Sequence, residues 1–257
     1  MGAAGSARPD RRTATLRIRR VLTTRRGGVS RRPYDSFNLG DHVGDDPRAV
    51  AANRARLAAG LGVRPGSVVW MDQVHGTTVA TVTGPVTGPL PATDGVVTAI
   101  PGLALAVLVA DCVPMLAGDP QAGVVAAVHA GRRGASDGIA DRMVEAMVAA
   151  GARVGSIEVL LGPAACGRCY EVPAAMRDEV EAALPGAACT TGRGTPGLDL
   201  RAGLSRRLRE RGVAGVAVDK RCTITDPELY SHRRQAPTGR LAGVVWMDAA
   251  GTAGRPS

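Results

Sequence analysis

Aromatic side chains are nearly missing from this chain, which has two Trp, three Tyr and one Phe among 257 residues. The core must therefore be built from Val, Leu, Ile and Ala, and a stacking platform for single-stranded nucleic acid is not expected. Lysine is scarcer still: Lys220 stands alone, and 31 of the 32 basic residues are Arg. The longest clean apolar run is about eight residues, against the roughly 20 that span a bilayer. Met1 to Arg12 contains no apolar stretch of the kind found in a secretion signal. Five Cys, an odd number, do not suggest a disulfide framework. A cytoplasmic protein with no membrane span is the expectation.

What is present is ordinary for a globule: 45% hydrophobic and 21% charged residues, with a formal charge of +9. The Arg pairs at 11–12, 25–26, 31–32 and 206–207 are scattered, which favours anionic small substrates over nucleic acid. A guanidinium grips phosphate with two parallel bonds. Residues 1–13 and 251–257 are expected to be disordered. Residues 14–250 show no repeat and no dividing linker, and their mixture of strands and helices implies one α/β or α+β domain.

The chain is organised around Leu103 to Gly134. Leu103–Ala110 is apolar and breaks at Asp111-Cys-Val-Pro114; Gly123–Val128 is apolar and ends in His129-Ala-Gly-Arg-Arg-Gly134. Two buried strands, each ending in reactive side chains, are predicted there. His75, in Met71-Asp-Gln-Val-His-Gly76, ends an earlier strand-like run in the same way. Other predicted strands cover 14–22, 67–71, 77–82, 157–161, 213–218 and 241–247. Predicted helices start at Pro47 (capped by Asp45 or Asp46, ending at Gly60), at Ser136 as a cap, at Pro173, and at Leu198 with Asp199 as cap. Tyr34–Gly40 reads as a loop with the residue types of a substrate loop.

Two imidazoles and a thiolate, from His75, Cys112 and His129, make a candidate zinc ligand set with one coordination position left open, although a buried Cys also serves as a small hydrophobe and a lone His as a core residue. The same residues fit a second chemistry, with Cys112 as nucleophile, a His as base and Asp111 orienting it. Spacing does not separate the two. Cys166-Gly-Arg-Cys169 has no second pair to complete a zinc ribbon, since Cys189 and Cys222 stand singly. The zinc deaminase signature is excluded, because no His-x-Glu occurs. The turn from His129 to Gly134, rich in Gly and Arg before a helix start, suits an anion such as phosphate.

An ordered set of motifs then carries a resemblance. These are Asn38-Leu-Gly40, Gly44-Asp45, Asn53-Arg54, Asp72-Gln-Val-His-Gly76, Asp94-Gly95, Ala110-Asp-Cys-Val-Pro114 and His129-Ala-Gly-Arg-Arg-Gly134. Leu161-Gly-Pro163 with Cys169-Tyr-Glu-Val172, Ser231-His-Arg-Arg234 and Thr238-Gly-Arg240 complete it. From Gly28 to Met247 the chain resembles the laccase-domain, YfiH-type family, known in older naming as polyphenol oxidase. The resemblance implies a single α+β domain with mixed sheets sandwiched between helices. It also implies a catalytic zinc on His75, Cys112 and His129, and phosphorolysis of adenosine, inosine and methylthioadenosine with possible adenosine deamination. Asp111 is then expected beside the metal, and Arg133, Arg54 and Asn38 at the substrate or phosphate. Copper is the other metal the old name suggests, though four His are few for multicopper oxidation. Further alternatives are a cysteine hydrolase editing peptidoglycan precursors and a non-enzymatic metabolic scaffold. The family usually has Trp where this chain has Arg132, a change that alters the polarity of the pocket mouth. The oligomeric state is left open.

Overall fold

The computed structural model describes residues 16–249; the tails expected to be disordered lie outside the described residues. The first strands are β1 (Leu16–Leu22), β2 (Val68–Val69), β3 (Val79–Thr81), β4 (Gly95–Thr98), β5 (Ala104–Val109), β6 (Val113–Asp119) and β7 (Val124–Ala130). After them come β8 (Glu158–Leu161), β9 (Ala188–Thr190), β10 (Pro196–Leu198), β11 (Gly215–Val218) and β12 (Leu241–Ala249). The helices are α1 (Pro47–Leu61), α2 (Arg132–Ser136), α3 (Ile139–Ala149), α4 (Ala174–Ala183) and α5 (Leu200–Glu210).

Two mixed sheets hold the domain together. One has the order β1-β12-β5-β2 and the other β11-β8-β6-β7-β4-β3, with β9 and β10 as a separate hairpin. Side chains alternate faces along a strand, and β5 uses both. Leu105, Val107 and Val109 meet Leu116, Val125 and Ala127 of the larger sheet. Ala104, Ala106 and Leu108 face Leu57 and Ala58 of α1. The outer face of the larger sheet, through Met115, Ala126 and Val128, packs on Ile139, Met143, Leu204 and Leu208. The layers are thus helix, sheet, sheet, helices, the α+β sandwich expected. A strand buried on both faces reads as a continuous apolar run, which is why β5 stands out in the sequence.

Several local expectations need correction. The central stretch contains three strands, because Val113–Asp119 forms β6. Pro114 hid it; a proline lacks the ladder N–H but is tolerated near a strand's start. Helix α1 runs past Gly60 to Leu61 and closes on Gly62, at φ 70°. Ser136 ends α2 instead of capping α3, whose N-cap is Gly138. The Asp46 and Asp199 caps are present, accepting from the amides of Arg48 and Ala202.

Candidate metal centre and its cavity

The chain crosses from one sheet to the other between Val109, the end of β5, and Val113, the start of β6. Asp111 and Cys112 are the crossing. Asp111 has φ 96°, a conformation rare outside glycine. Its carboxylate holds it there, accepting from Thr223 Oγ1 at 2.6 Å and from the Arg233 amide at 2.7 Å. Its carbonyl accepts from the Ala165 amide at 3.0 Å. Antiparallel pairing of β6 and β7 sets Pro114 opposite His129 and so brings Cys112 beside it.

His75 arrives from the loop after β2, at φ 62°. Gln73 splints that loop to β5: its amide donates to Leu108 O and accepts from Leu108 N, both at 2.8 Å. Asp94, fully buried, completes the frame. One carboxylate oxygen accepts from the His75 amide at 3.0 Å and lies 2.8 Å from His129 Nδ1; the other accepts from Val74 and Gly76 at 3.2 and 2.7 Å. A proton on His129 Nδ1 bonds to Asp94, leaving Nε2 for the centre.

The ligand atoms of His75, Cys112 and His129 all lie within 4.8 Å of one another. Cys112 Sγ is 3.8 Å from His75 Nε2, and the two imidazole rings meet edge to face. Gly131 is required by this crowding, since a Cβ there would sit 2.6 Å from His75 Cδ2 and 3.3 Å from Cys112 Sγ. Burial works against a Cys112 thiolate, but His129 and His75 outweigh it and hold the thiol at about 6. Burial likewise opposes a charged His129, yet the Cys112 thiolate and Asp94 raise it to about 9. Asp94 stays below the usual carboxylate range: burial opposes its charge, and the bonds from His129, Gly76 and Val74 more than compensate. A preformed anionic sulfur with two oriented imidazoles is a ligand set suited to zinc.

The centre lines a cavity of about 390 Å³ whose walls also include His42, Arg132, Tyr170, His232, Arg233 and Arg240. That volume is in the range of small-molecule sites. Asp111 lines it, although both of its carboxylate oxygens already accept hydrogen bonds. Three residues expected at the substrate or phosphate are not among those lining this cavity. Arg133 is exposed on α2, and its neighbour Arg132 reaches the cavity instead. Arg54 donates to Leu39 O, pairs with Asp41 and stacks on Trp70. Asn38 is buried and bonds to Gly40, Asp45 and Arg240. The last two build the loop that presents His42 and anchor Arg240, so they shape the wall from behind. His232 and Arg240 stand in motifs already quoted, but only the fold shows that they face the same cavity as His75. Asp94 carried a sequence signal too, as part of Asp94-Gly95, where it reads as a turn.

The sequence model of the family described as multi-copper polyphenol oxidoreductase laccase matches residues 19–248. The chain belongs to this family. It is similar to a purine nucleoside phosphorylase of Mycobacterium tuberculosis, 62% identical over 242 residues, covering 94% of this chain and 97% of the relative. A purine nucleoside phosphorylase of Corynebacterium glutamicum is 55% identical over 232 residues, covering 90% and 94%. Among solved structures, Bacillus licheniformis hypothetical protein YfiH superposes with a TM-score of 0.84 at 32% identity, covering 90% of this chain and 93% of that one. YlmD from Geobacillus stearothermophilus gives 0.83 at 35% identity, covering 89% and 91%. The laccase-domain fold expected from the motifs is therefore the observed one. Among the described residues no helix is long and apolar enough to cross a membrane.

Proposed function

We propose that this chain is a purine nucleoside phosphorylase with a zinc ion on His75, Cys112 and His129. The observation that carries the reading is the convergence of those three ligand atoms in a cavity also lined by Arg132, Arg233 and Arg240. The names of the relatives support it.

In phosphorolysis a phosphate oxygen forms a bond to C1′ of the ribose while the bond from C1′ to the purine nitrogen breaks. The purine leaves with the electron pair and takes up a proton. The arginines supply fixed positive charge for the phosphate, in place of Arg133 and Arg54. Preset charge of this kind needs no reorganisation during the reaction. A bound zinc ion supplies Lewis-acid polarisation of a substrate oxygen. Asp94 keeps His129 in the tautomer that the metal needs. Asp111 holds the crossing rigid through Thr223 and Arg233, so that the neighbouring Cys112 stays aimed at the cavity. Adenosine deamination is a further activity that the family resemblance suggests for the same centre.

The test is purine release from adenosine, inosine and methylthioadenosine, with and without phosphate, on protein of measured metal content. Phosphate-dependent release is expected. Equal release without phosphate would mean a hydrolase. The contact of Cys112 Sγ with His75 Nε2 at 3.8 Å also favours a second reading, a cysteine hydrolase; it predicts activity that survives complete removal of the metal.

A further inference from the structure

Cys166 and Cys169 sit on the turn that follows β8, and Cys222 lies 53 residues further along the chain, after β11. In sequence Cys222 is solitary, but the fold joins it to the pair. A parallel bridge sets Ala164 beside Cys222, and the Cys166 amide donates to Cys222 Sγ at 3.4 Å. The turn is closed by bonds from the amides of Cys169 and Tyr170 to Cys166 O, both 2.9 Å, which fold the two thiols of the pair to one side. All three sulfur atoms lie within 4.8 Å of one another. Cys189 is adjacent but separate, donating to Gly167 O at 3.4 Å.

We propose that Cys166, Cys169 and Cys222 form a second ion site that binds a soft d10 cation, zinc or copper(I). Thiolates select such ions. Zinc–sulfur bonds of about 2.3 Å in a tetrahedron place the sulfurs a little under 4 Å apart, a spacing this cluster reaches with small shifts. Each thiol gives up its proton to solvent as it binds. An amide donor already points at Cys222 Sγ, as in the outer bonds that tune metal thiolates. Access exists on the Cys169 side, which lines a separate cavity with Arg168, Thr191 and Arg193.

The ion would fasten two loops that wall the first cavity. One carries Ala165 and Tyr170; the other carries Thr223, whose hydroxyl holds Asp111. Arg233 ties the two together, donating to Glu171 O at 3.1 Å and stacking on Tyr170. Three thiolates leave the fourth tetrahedral position to water; in this role the ion fastens the loops, and the site is distinct from the one at Cys112.

The experiment counts zinc bound per chain under reducing conditions. The wild type is expected to bind two ions, H75A/C112A one, and H75A/C112A/C222S none. An H75A/C112A protein that binds no zinc overturns the proposal, as does a triple variant that still binds one. Should the wild type bind a single ion that H75A/C112A retains, the thiolate site stands and zinc at the first centre falls. Because C222S removes a buried side chain, a second measurement uses folded H75A/C112A alone. Zinc should slow alkylation of Cys166, Cys169 and Cys222 at least tenfold and leave Cys189 unchanged; equal labelling of all four with and without zinc also overturns it.

Discussion

Asp94 Oδ1 lies 2.8 Å from His129 Nδ1 and also accepts the amide hydrogen of His75 at 3.0 Å. One buried carboxylate thus orients two residues of the centre that are 54 positions apart. Replacing it by Asn removes the charge and gives His129 a poorer partner. We expect D94N to bind zinc about 10–100-fold more weakly, the usual consequence of losing an outer partner of a ligating imidazole. Competition with a chromophoric chelator measures this. An unchanged affinity would show that Asp94 only braces the loop at Val74–Gly76.

Cys112→Ala should abolish zinc binding at the first centre and phosphorolysis together. The fold should survive, because Cys112 lies in a crossing and not inside a strand. Circular dichroism and kinetics on the same sample decide it. Full phosphorolysis in this variant would sink the proposed assignment.

In metal-free protein the Cys112 thiol, held at about 6, should alkylate with iodoacetamide along a curve centred near that pH. An unperturbed cysteine titrates near about 8.5. Stability follows from the same pair. The contribution of Cys112, lowered on folding, is present above its unfolded value and is lost as pH falls through about 6. That of His129, raised on folding, is complete below its unfolded value of about 6.5 and is lost as pH rises through about 9. Denaturant melts of metal-free protein should therefore show this contribution at its largest near neutral pH, falling on both sides. A C112A protein should lose the acid-side fall.

Arg132→Ala should raise the KM for phosphate about tenfold or more, since it removes one charge from the cavity wall. Arg133→Ala, one residue along but exposed, should leave it within twofold. Steady-state kinetics at varied phosphate distinguishes the two. Equal effects would mean that the neighbouring arginines act through the general field of the surface.

The candidate metal-binding side chains were legible because each closes an apolar run: His75 after Val68–Val69, Cys112 after β5, His129 within β7. The layer order was legible only through the family resemblance. Short strands such as β9 and β10 left no periodic trace, and Pro114 disguised β6. The cavity wall was the least legible part. Arg132 and Arg133 are chemically identical in sequence, and only the start of α2 at Arg132 decides which faces the cavity. Asn38 and Arg54 have functional-looking side chains that the fold spends on its own loops. Cys222 joins Cys166 and Cys169 through one isolated bridge, a contact no spacing rule encodes.

The crossing at Ala110–Cys112 is one of the joins between the two sheets, and the candidate centre draws one side chain from it and one from either side. An ion held there is consequently a rivet through the sandwich. The unfolded chain, with those ligands 37 and 17 residues apart, offers no comparable grip, so nearly all of the binding free energy appears as resistance to unfolding. At a free zinc concentration about 1,000 times Kd that is about 4 kcal/mol. Slowed amide exchange in β5 and β7 on adding zinc would be its signature, readable without any substrate.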